Sequence, residues 1–409
     1  MTHNLRLDGD RLLVRLAALG RIGDTGDGGV CRLALSEADA RGRGWLAAAM
    51  AELGMAVRTD AIGNMFGTLP GREAVAPVML GSHIDTVATG GRYDGALGVL
   101  AGLEVVAALQ EAGHVPRRPI TVAAFTNEEG ARFQPDMMGS CVYAGVLPLA
   151  DALAARDADG ISVAEALASI GAAGPRPDAT ERPHAYLELH IEQGPVLDRD
   201  GGVVAAVTGV QAIRWFEVTI EGESNHAGTT PMQYRRDAGL VAALLAVEAR
   251  AVADAVDGQV ATVGRIMLDP GQINVVARRA VVALDIRNPS QELLDEAEQR
   301  LRAFLAAAAA RHGVDVSVAT LARFPAVAFD PGVIAAVEEA ARRLGHDPRR
   351  MVSGAGHDAQ IMAGICPSGM IFVPSIDGLS HNPAEMTRPE HLVAGAQVLL
   401  QAALALAES

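Results

Sequence analysis

The side chains in this sequence that could do chemistry together are three histidines and four carboxylates. His83 and Asp85 lie in GSHIDTV, Asp94 in GGRYDG, Glu128 and Glu129 in TNEEG, His190 in LELHIEQG and His381 in GLSHNPAE. Each one alone is an ordinary solvated residue; the set is what carries the reading. Imidazoles and carboxylates together suit zinc or manganese. Three histidines and two carboxylates, one of them bridging, are enough for two ions, and a third carboxylate is left over as a base. The adjacent pair Glu128 and Glu129 is the sharpest local signal. It follows the apolar run Ile120 to Phe125, which reads as a buried strand. Two like charges at the rim of a hydrophobic sheet repel each other and resist desolvation. A cation between them relieves both costs. One glutamate neutralises the ion as a ligand, and its neighbour holds and deprotonates a water. A pair of ions ~3.5–4 Å apart lowers the pKa of bound water and clamps a developing oxyanion. The base then carries the proton to the leaving nitrogen. Asp85 lies two residues beyond His83, and in an extended segment both face the same way. Asp85 is therefore expected to accept the other ring N–H of His83; the competing reading is a loop cap.

These residues need elements to carry them. Pro77 to Gly81 reads as a buried strand, Ala96 to Ala112 as a helix ended by Gly113, and Ile120 to Phe125 and Ala185 to Leu189 as further strands. This is an α/β pattern around a central sheet. Loops at the C-terminal strand ends of such a sheet form the binding crevice, and five separate loops deliver the histidines and acids there. The texture changes near Gln211. Trp215 to Glu221 alternates apolar and polar residues as a half-exposed strand does. A long Ala/Val helix follows over about Asp237 to Val256. Alternating strands come next at Thr262 to Leu268 and Arg279 to Ile286, then a helix over Gln291 to His312 and a strand over Asp315 to Leu321. The β-α-β-β-α-β order is ferredoxin-like. The α/β texture returns with helix Gly332 to Leu344, strand Gly369 to Pro374 and helix Pro389 to Ala407. The expected organisation is a discontinuous catalytic domain, residues 1–211 and 328–409, interrupted by a smaller α+β domain over 212–327.

Composition bounds the partners. The 409 residues are 50% hydrophobic and 20% charged, enough for a large core spread over two domains. Only 3% is aromatic, and the abundant alanine suits helices packed closely on a sheet. A net charge of −15 argues against nucleic acid and anionic membrane as partners, although local arginines can still capture a small anion. Cys31, Cys141 and Cys366 are scattered and odd in number, which makes neither a disulfide framework nor a cysteine zinc site. The charged N-terminus is not read as a signal peptide, and no stretch approaches the ~20 uninterrupted apolar residues of a membrane span. The expectation is a cytoplasmic protein. Gly354 to Gly356 lacks the strand-loop-Lys context of a phosphate loop.

Taken together, GSHIDTV, GRYDG, TNEEGARF, ELHIEQG, ESNHAGTTPM and SGAGHDAQ…SHNPAE resemble the hydantoinase/carbamoylase group of the M20 metallopeptidase-like amidohydrolases, from about residue 10 onward. The resemblance implies two divalent ions (zinc, or manganese, cobalt or nickel), one held by His83, Asp94 and His190 and one by Asp94, Glu129 and His381. Asp94 would bridge them and Glu128 would be the general base. It implies a cis Asp94–Gly95 peptide and a central-sheet metallohydrolase domain carrying a dimerisation or lid domain. It implies a homodimer in which His226 reaches the partner's active site and stabilises the oxyanion. Gln193 would contact a ureido group, and Asn274 and Arg287 would hold a substrate carboxylate, for which the arginine fork is suited. The plain alternatives are a surface ion pair for Arg287 and a loop cap for His226. Gly356 and His357 would lie near substrate or support the metal ligands. Arg235 and Arg236 read as structural. The implied substrate is a small ureido-carboxylate, and the implied activity is hydrolysis of N-carbamoyl-L-amino acids. Allantoate amidohydrolase and β-ureidopropionase are the alternatives, with a peptidase or an inactive metal-binding paralogue behind them. Peptidases of the wider superfamily usually carry an acid at the position of His190, so HIEQG favours the ureido-cleaving branch.

Overall fold

A computed structural model describes residues 5–175 and 182–409. The chain divides into two compact units, one formed by residues 1–209 and 328–409 and the other by 210–327.

The larger unit is built on a mixed sheet. Its strands are β1 (Ala56–Thr59), β2 (Met65–Leu69), β3 (Val78–His83), β4 (Ile120–Phe125), β5 (Ala185–Ile191), β6 (Ala205–Val210), β11 (Val327–Ala328), β12 (Arg349–Ser353) and β13 (Ser368–Val373). The remaining strands, β7 to β10, belong to the other unit. The order is β1-β2-β4-β3-β5-β13-β6-β11, with β12 also paired to β6. The central neighbours β4, β3, β5 and β13 run parallel, whereas β2 and β6 pair antiparallel on either side. Every residue of β3, β4, β5 and β13 is buried. Strands covered on both faces read as continuous apolar runs rather than alternating ones, which is why they were legible. β1, β2 and β12 were not, because they are four or five residues long and only partly buried, and β6, as long as the central strands, was missed as well.

Helix Ala96–Glu111 covers one face and is buried over nearly its whole length. It approaches the sheet closely through glycines. A Cβ on Gly98 would lie 2.6 Å from the Leu189 carbonyl oxygen, and one on Gly102 would lie 3.1 Å from Val122. Helix Pro389–Ala407, the one described helix long and apolar enough to cross a membrane, is mostly buried here as a core helix.

The smaller unit is a four-stranded antiparallel sheet in the order β10-β7-β9-β8, made of β7 (Ala212–Glu221), β8 (Val260–Asp269), β9 (Arg279–Asn288) and β10 (Asp315–Phe324). Helices Ala238–Ala255 and Gln291–His312 pack on one face, where Phe216, Val218, Ile220, Val282, Leu284 and Ile286 meet Val241, Leu245, Leu294 and Leu301. Asp237 caps the first helix at Leu240 N and Ser290 caps the second at Leu293 N. β8 departs from simple alternation. It is an edge strand that leaves Ile266, Met267 and Leu268 exposed in succession.

Candidate metal centre

Parallel pairing puts the C-terminal ends of β3, β4, β5 and β13 along one edge. His83 is the last residue of β3 and is in register with Phe125, three residues before Glu128. His190 on β5 is in register with Phe372 on β13, nine residues before His381. The loop after β3 returns Asp94 to the same edge and opens directly into helix Ala96–Glu111.

Asp94 is the centre of the cluster. Its Oδ1 lies 3.6 Å from His83 Nε2 and 3.2 Å from His190 Nε2, and its Oδ2 lies 3.3 Å from His381 Nε2. His381 Nε2 is also 3.2 Å from Glu129 Oε2, and His83 Nε2 is 3.4 Å from Glu128 Oε2. Three donor groups result among the described residues: His83/Asp94/His190 and Asp94/Glu129/His381, with Asp94 in both, and Glu188/His190/His357 behind them. The rings are fixed from behind. His83 Nδ1 lies 2.9 Å from the Asp85 carbonyl and His190 Nδ1 2.9 Å from that of Ile191, which turns both Nε2 atoms toward Asp94. Glu129 Oε1 is buried with no partner. An orphaned carboxylate oxygen beside histidine nitrogens is what a divalent ion satisfies, and the donor set is the nitrogen-and-oxygen set of such ions. The residues fit divalent metal.

The charges are mutually dependent. Burial opposes ionisation of Asp94, yet the three imidazoles hold its carboxyl well below the usual range. Burial would lower His83, but Glu128 and Asp94 keep it well above the ordinary value. Hydrogen bonds to Asp94 and Glu129 push His381 up to about 10. Burial, with Asp358, Glu129 and Asp94 nearby, raises Glu128 well above the usual carboxyl range although His83 opposes this. The imidazoles and the acids thus favour one another's charged forms, and metal binding requires the ligand imidazoles to be neutral.

Several expectations are corrected by this geometry. The Asp85 carboxylate does not take the ring N–H of His83: Oδ1 is 4.0 Å from Nδ1, and the Asp85 main-chain carbonyl is the partner. Its two oxygens instead accept the amide N–H groups of Glu128 and Glu129, each at 3.3 Å. The backbone turns after Ile84 so that the carbonyl, not the side chain, faces the ring. Asp94–Gly95 is not among the cis peptide bonds, which among the described residues are Gln134–Pro135 and Asp269–Pro270. A non-proline cis bond costs about 3–4 kcal/mol. The turn is made instead by Gly95 at φ 63°, whose N–H lies 3.1 Å from His190 Nε2. Only glycine fits there, since a Cβ would lie 2.4 Å from His83 Nε2. His357, read as lying near substrate or supporting the metal ligands, is buried in the interior beside His190. It packs edge-on against His190 with ring centroids 4.5 Å apart, and its Nε2 is 2.8 Å from Ser353 Oγ. Burial and the neighbouring His190 keep its pKa well below the ordinary value. Gly356 beside it is crowded, with Met137 Cε 2.7 Å from where a Cβ would be.

Gln193 is at the cluster, as its Nε2 donates to Asp94 Oδ2 at 2.9 Å while its Oε1 is buried without a partner. His226, Asn274 and Arg287 lie in the smaller unit. The ladder β7/β9 continues past Glu221 and Arg279 through Gly222 N to the Arg278 carbonyl, and Ala227 N donates to the Asn274 carbonyl at 2.9 Å. His226 and Asn274 are therefore neighbours on exposed loops at one end of the sheet. Arg287 is at the other end of β9, paired with Asp285 through Nε and Nη2 at 2.7–3.0 Å. Arg235 donates to the Ala227 and Thr230 carbonyls and braces the loop that carries His226.

Sequence reasoning missed two groups. Glu385 is buried and accepts N–H bonds from Tyr93 (2.9 Å) and Asp94 (3.2 Å). Burial, then the charge of Asp94, pushes its carboxyl up to about 7. Its signal was an acid in SHNPAE, four residues after a ligand histidine. Glu188 shares a strand face with His190 and accepts from Ser82 Oγ, Tyr186 OH and Ala359 N. These three bonds make it a brace for the strand end, next to His190 and His357.

The sequence profile of peptidase family M20/M25/M40 matches residues 79–405. The chain is 41% identical to an N-carbamoyl-L-amino-acid amidohydrolase of Rhizobium meliloti, covering 99% of this chain and 98% of that one. It is 35% identical to a ureidoglycolate hydrolase of Oryza sativa, covering 98% and 84%. A crystal structure of an amidase of the hydantoinase/carbamoylase family from Burkholderia multivorans superposes with TM-score 0.96 at 42% identity, over 99% of both chains. The chain belongs to the M20/M25/M40 family. Within it, this is a hydrolase of non-peptide C–N bonds.

Proposed function

We propose that the chain hydrolyses N-carbamoyl-L-amino acids to the L-amino acid, CO2 and ammonia with two divalent ions per subunit. The observation that carries this is the double role of Asp94, whose two oxygens face separate histidines beside Glu129, whose Oε1 is buried without a partner. One ion would be held by His83, Asp94 and His190 and one by Asp94, Glu129 and His381; bound there, they supply positive charge that polarises a ureido carbonyl and acidifies a water. Glu128 takes a proton from the attacking water and passes it to the departing nitrogen. Asp85 aims Glu128 and Glu129 by holding both amides. Gln193 Oε1, buried and unpartnered, supplies an acceptor for the ureido N–H2. Arg287, preset by Asp285, binds the substrate carboxylate, with Asn274 as the second contact and His226 on the oxyanion.

Asn274 and Arg287 flank at least the eight residue steps from Arg279 to Arg287, roughly 27 Å at ~3.4 Å per residue. One copy cannot bring both to one small molecule. This supports a homodimer in which His226 and Asn274 come from the partner and the smaller unit acts as the dimerisation domain. Exposed Met232, Tyr234, Ile266, Met267, Leu268 and Ile273 on that unit offer an apolar surface for pairing. The three free cysteines accord with a reducing, cytoplasmic setting. The similarity to ureidoglycolate hydrolases keeps a ureide such as allantoate as the second reading.

The test is ammonia release by metal-reconstituted enzyme from N-carbamoyl-L-methionine, its D-isomer, N-carbamoyl-β-alanine, allantoate and one dipeptide. Turnover of the L-carbamoyl compound is expected. Turnover of allantoate alone moves the chain to ureide breakdown. Mixing Glu128→Gln with His226→Ala subunits should restore activity; failure to do so, with mixed dimers formed, removes His226 from the partner's site.

A further inference from the structure

Glu385 is not itself one of the groups placed around the ions, and the geometry points to a latch. We infer that Glu385, with Ser380, is a positioning residue that locks the Asp94 turn to the His381 loop, so that both halves of the second metal group stay in register. This rests on the two-ion reading above.

The argument is local. Oε1 of Glu385 accepts two successive amide N–H groups, Tyr93 at 2.9 Å and Asp94 at 3.2 Å. Oε2 lies 3.1 Å from Ser380 Oγ, which is itself 2.9 Å from Asp94 Oδ2. One buried side chain thus grips the backbone of the bridging aspartate, and the Ser380 hydroxyl lies between the two carboxyl groups, with its single proton within reach of either. The loop it belongs to needs such a grip. His381 sits at φ 53°, a left-handed conformation that a side-chain-bearing residue keeps only when its surroundings impose it. Further ties run between the same two loops: Thr89 Oγ1 donates to the His381 carbonyl at 3.2 Å, and Tyr93 OH contacts Met386 Sδ at 3.6 Å. The position of Gly91 follows from the latch, since a Cβ there would lie 2.1 Å from the Glu385 carboxyl carbon. The second glycine of GGRYDG therefore makes room for the acid, while the first is crowded by Thr86 and the Val30 carbonyl. A bare packing role would not call for a carboxylate at this depth, where burial opposes its charge. Two aligned amides and a hydroxyl would.

The experiment is Zn2+ titration of metal-stripped protein against a chromophoric chelator, alongside the melting temperature of the stripped protein. The wild type is expected to take two equivalents. Glu385→Ala should weaken the second by about 10- to 100-fold, the range for losing a partner behind a metal ligand. Glu385→Gln should stay near wild type, because its amide oxygen still accepts both N–H groups and its NH2 can donate to Ser380. Ser380→Ala should fall between them, and it decides the matter if Glu385→Ala does not fold. Unchanged second-site affinity in the alanine variants, with the wild type binding two ions, overturns the latch alone. A lower melting temperature with unchanged Zn2+ affinity also overturns it, by making Glu385 merely structural. A wild type that binds no Zn2+ overturns the two-ion reading and the latch with it.

Discussion

Asp85→Asn separates two accounts of how this centre is organised. Asp85 is 2% exposed, and its two oxygens each accept one amide, from Glu128 and Glu129, at 3.3 Å. Asparagine keeps one acceptor and turns an NH2 toward the other N–H. Leaving a buried donor without its acceptor costs about 1–3 kcal/mol. Borne by the orientation of Glu128, that cost lowers kcat roughly tenfold to hundredfold, at about 1.4 kcal/mol per factor of ten. The ligand histidine is unaffected in this account, because His83 Nδ1 meets the main-chain carbonyl of residue 85, which the substitution retains. The Zn2+ equivalent of the His83 group should therefore keep wild-type affinity while turnover falls, and any weakening should be confined to the equivalent that Glu129 shares, since Asp85 also holds the Glu129 amide. Steady-state kinetics and a chelator-competition titration on one preparation read both quantities. Loss of the Zn2+ equivalent of the His83 group in Asp85→Asn would refute the reasoning and restore Asp85 as the partner of the His83 ring.

Glu128→Gln should retain both metal equivalents and the fold while kcat drops by about 10²- to 10⁴-fold, the span of general acid–base catalysis; near-normal turnover would remove Glu128 as the base. Gly95→Ala combines a positive φ with a Cβ 2.4 Å from His83 Nε2, so metal analysis should show ions lost from the His83 group, and full occupancy would contradict the crowding. In the smaller unit, Glu298 is buried against Arg214, Arg302 and Arg323, whose hydrogen bonds and charges hold its carboxyl below the ordinary value despite its burial. Its contribution is present above the unfolded-state pKa, about 4.5, and is lost as pH falls through the depressed folded value. Glu298→Gln should thus cost about 1–3 kcal/mol near neutrality, the range for losing charged hydrogen bonds to partners that solvent partly screens, and the gap to wild type should close in acid; a gap independent of pH, in denaturant melts at several pH values, would rule out the charge as its origin.

How much was legible beforehand depends on what each residue obeys. The fully buried central strands announce themselves as unbroken apolar runs, because both faces need hydrophobic cover. The helices of the smaller unit show in their long Ala-rich runs between the alternating strands. The donor set was legible because few chemistries call for three histidines and paired acids at successive strand ends. Glu385 was not, since an acid in a polar loop looks the same whether it is solvated or folded onto two amides.

The sequence by itself determined which side chains were available for chemistry, where the texture changes between units, and the resemblance to the carbamoylase group. Only the tertiary structure decided which atom of Asp85 faces His83 and that Asp94–Gly95 turns through a left-handed glycine. It also decided that His357 backs His190 from the interior, and that Asn274 and Arg287 stand at opposite ends of one strand. The reason is physical. Residue type and periodicity are local properties of the chain, whereas the direction of a carbonyl or a carboxylate at a strand end is set by which neighbours the whole sheet brings within hydrogen-bond reach.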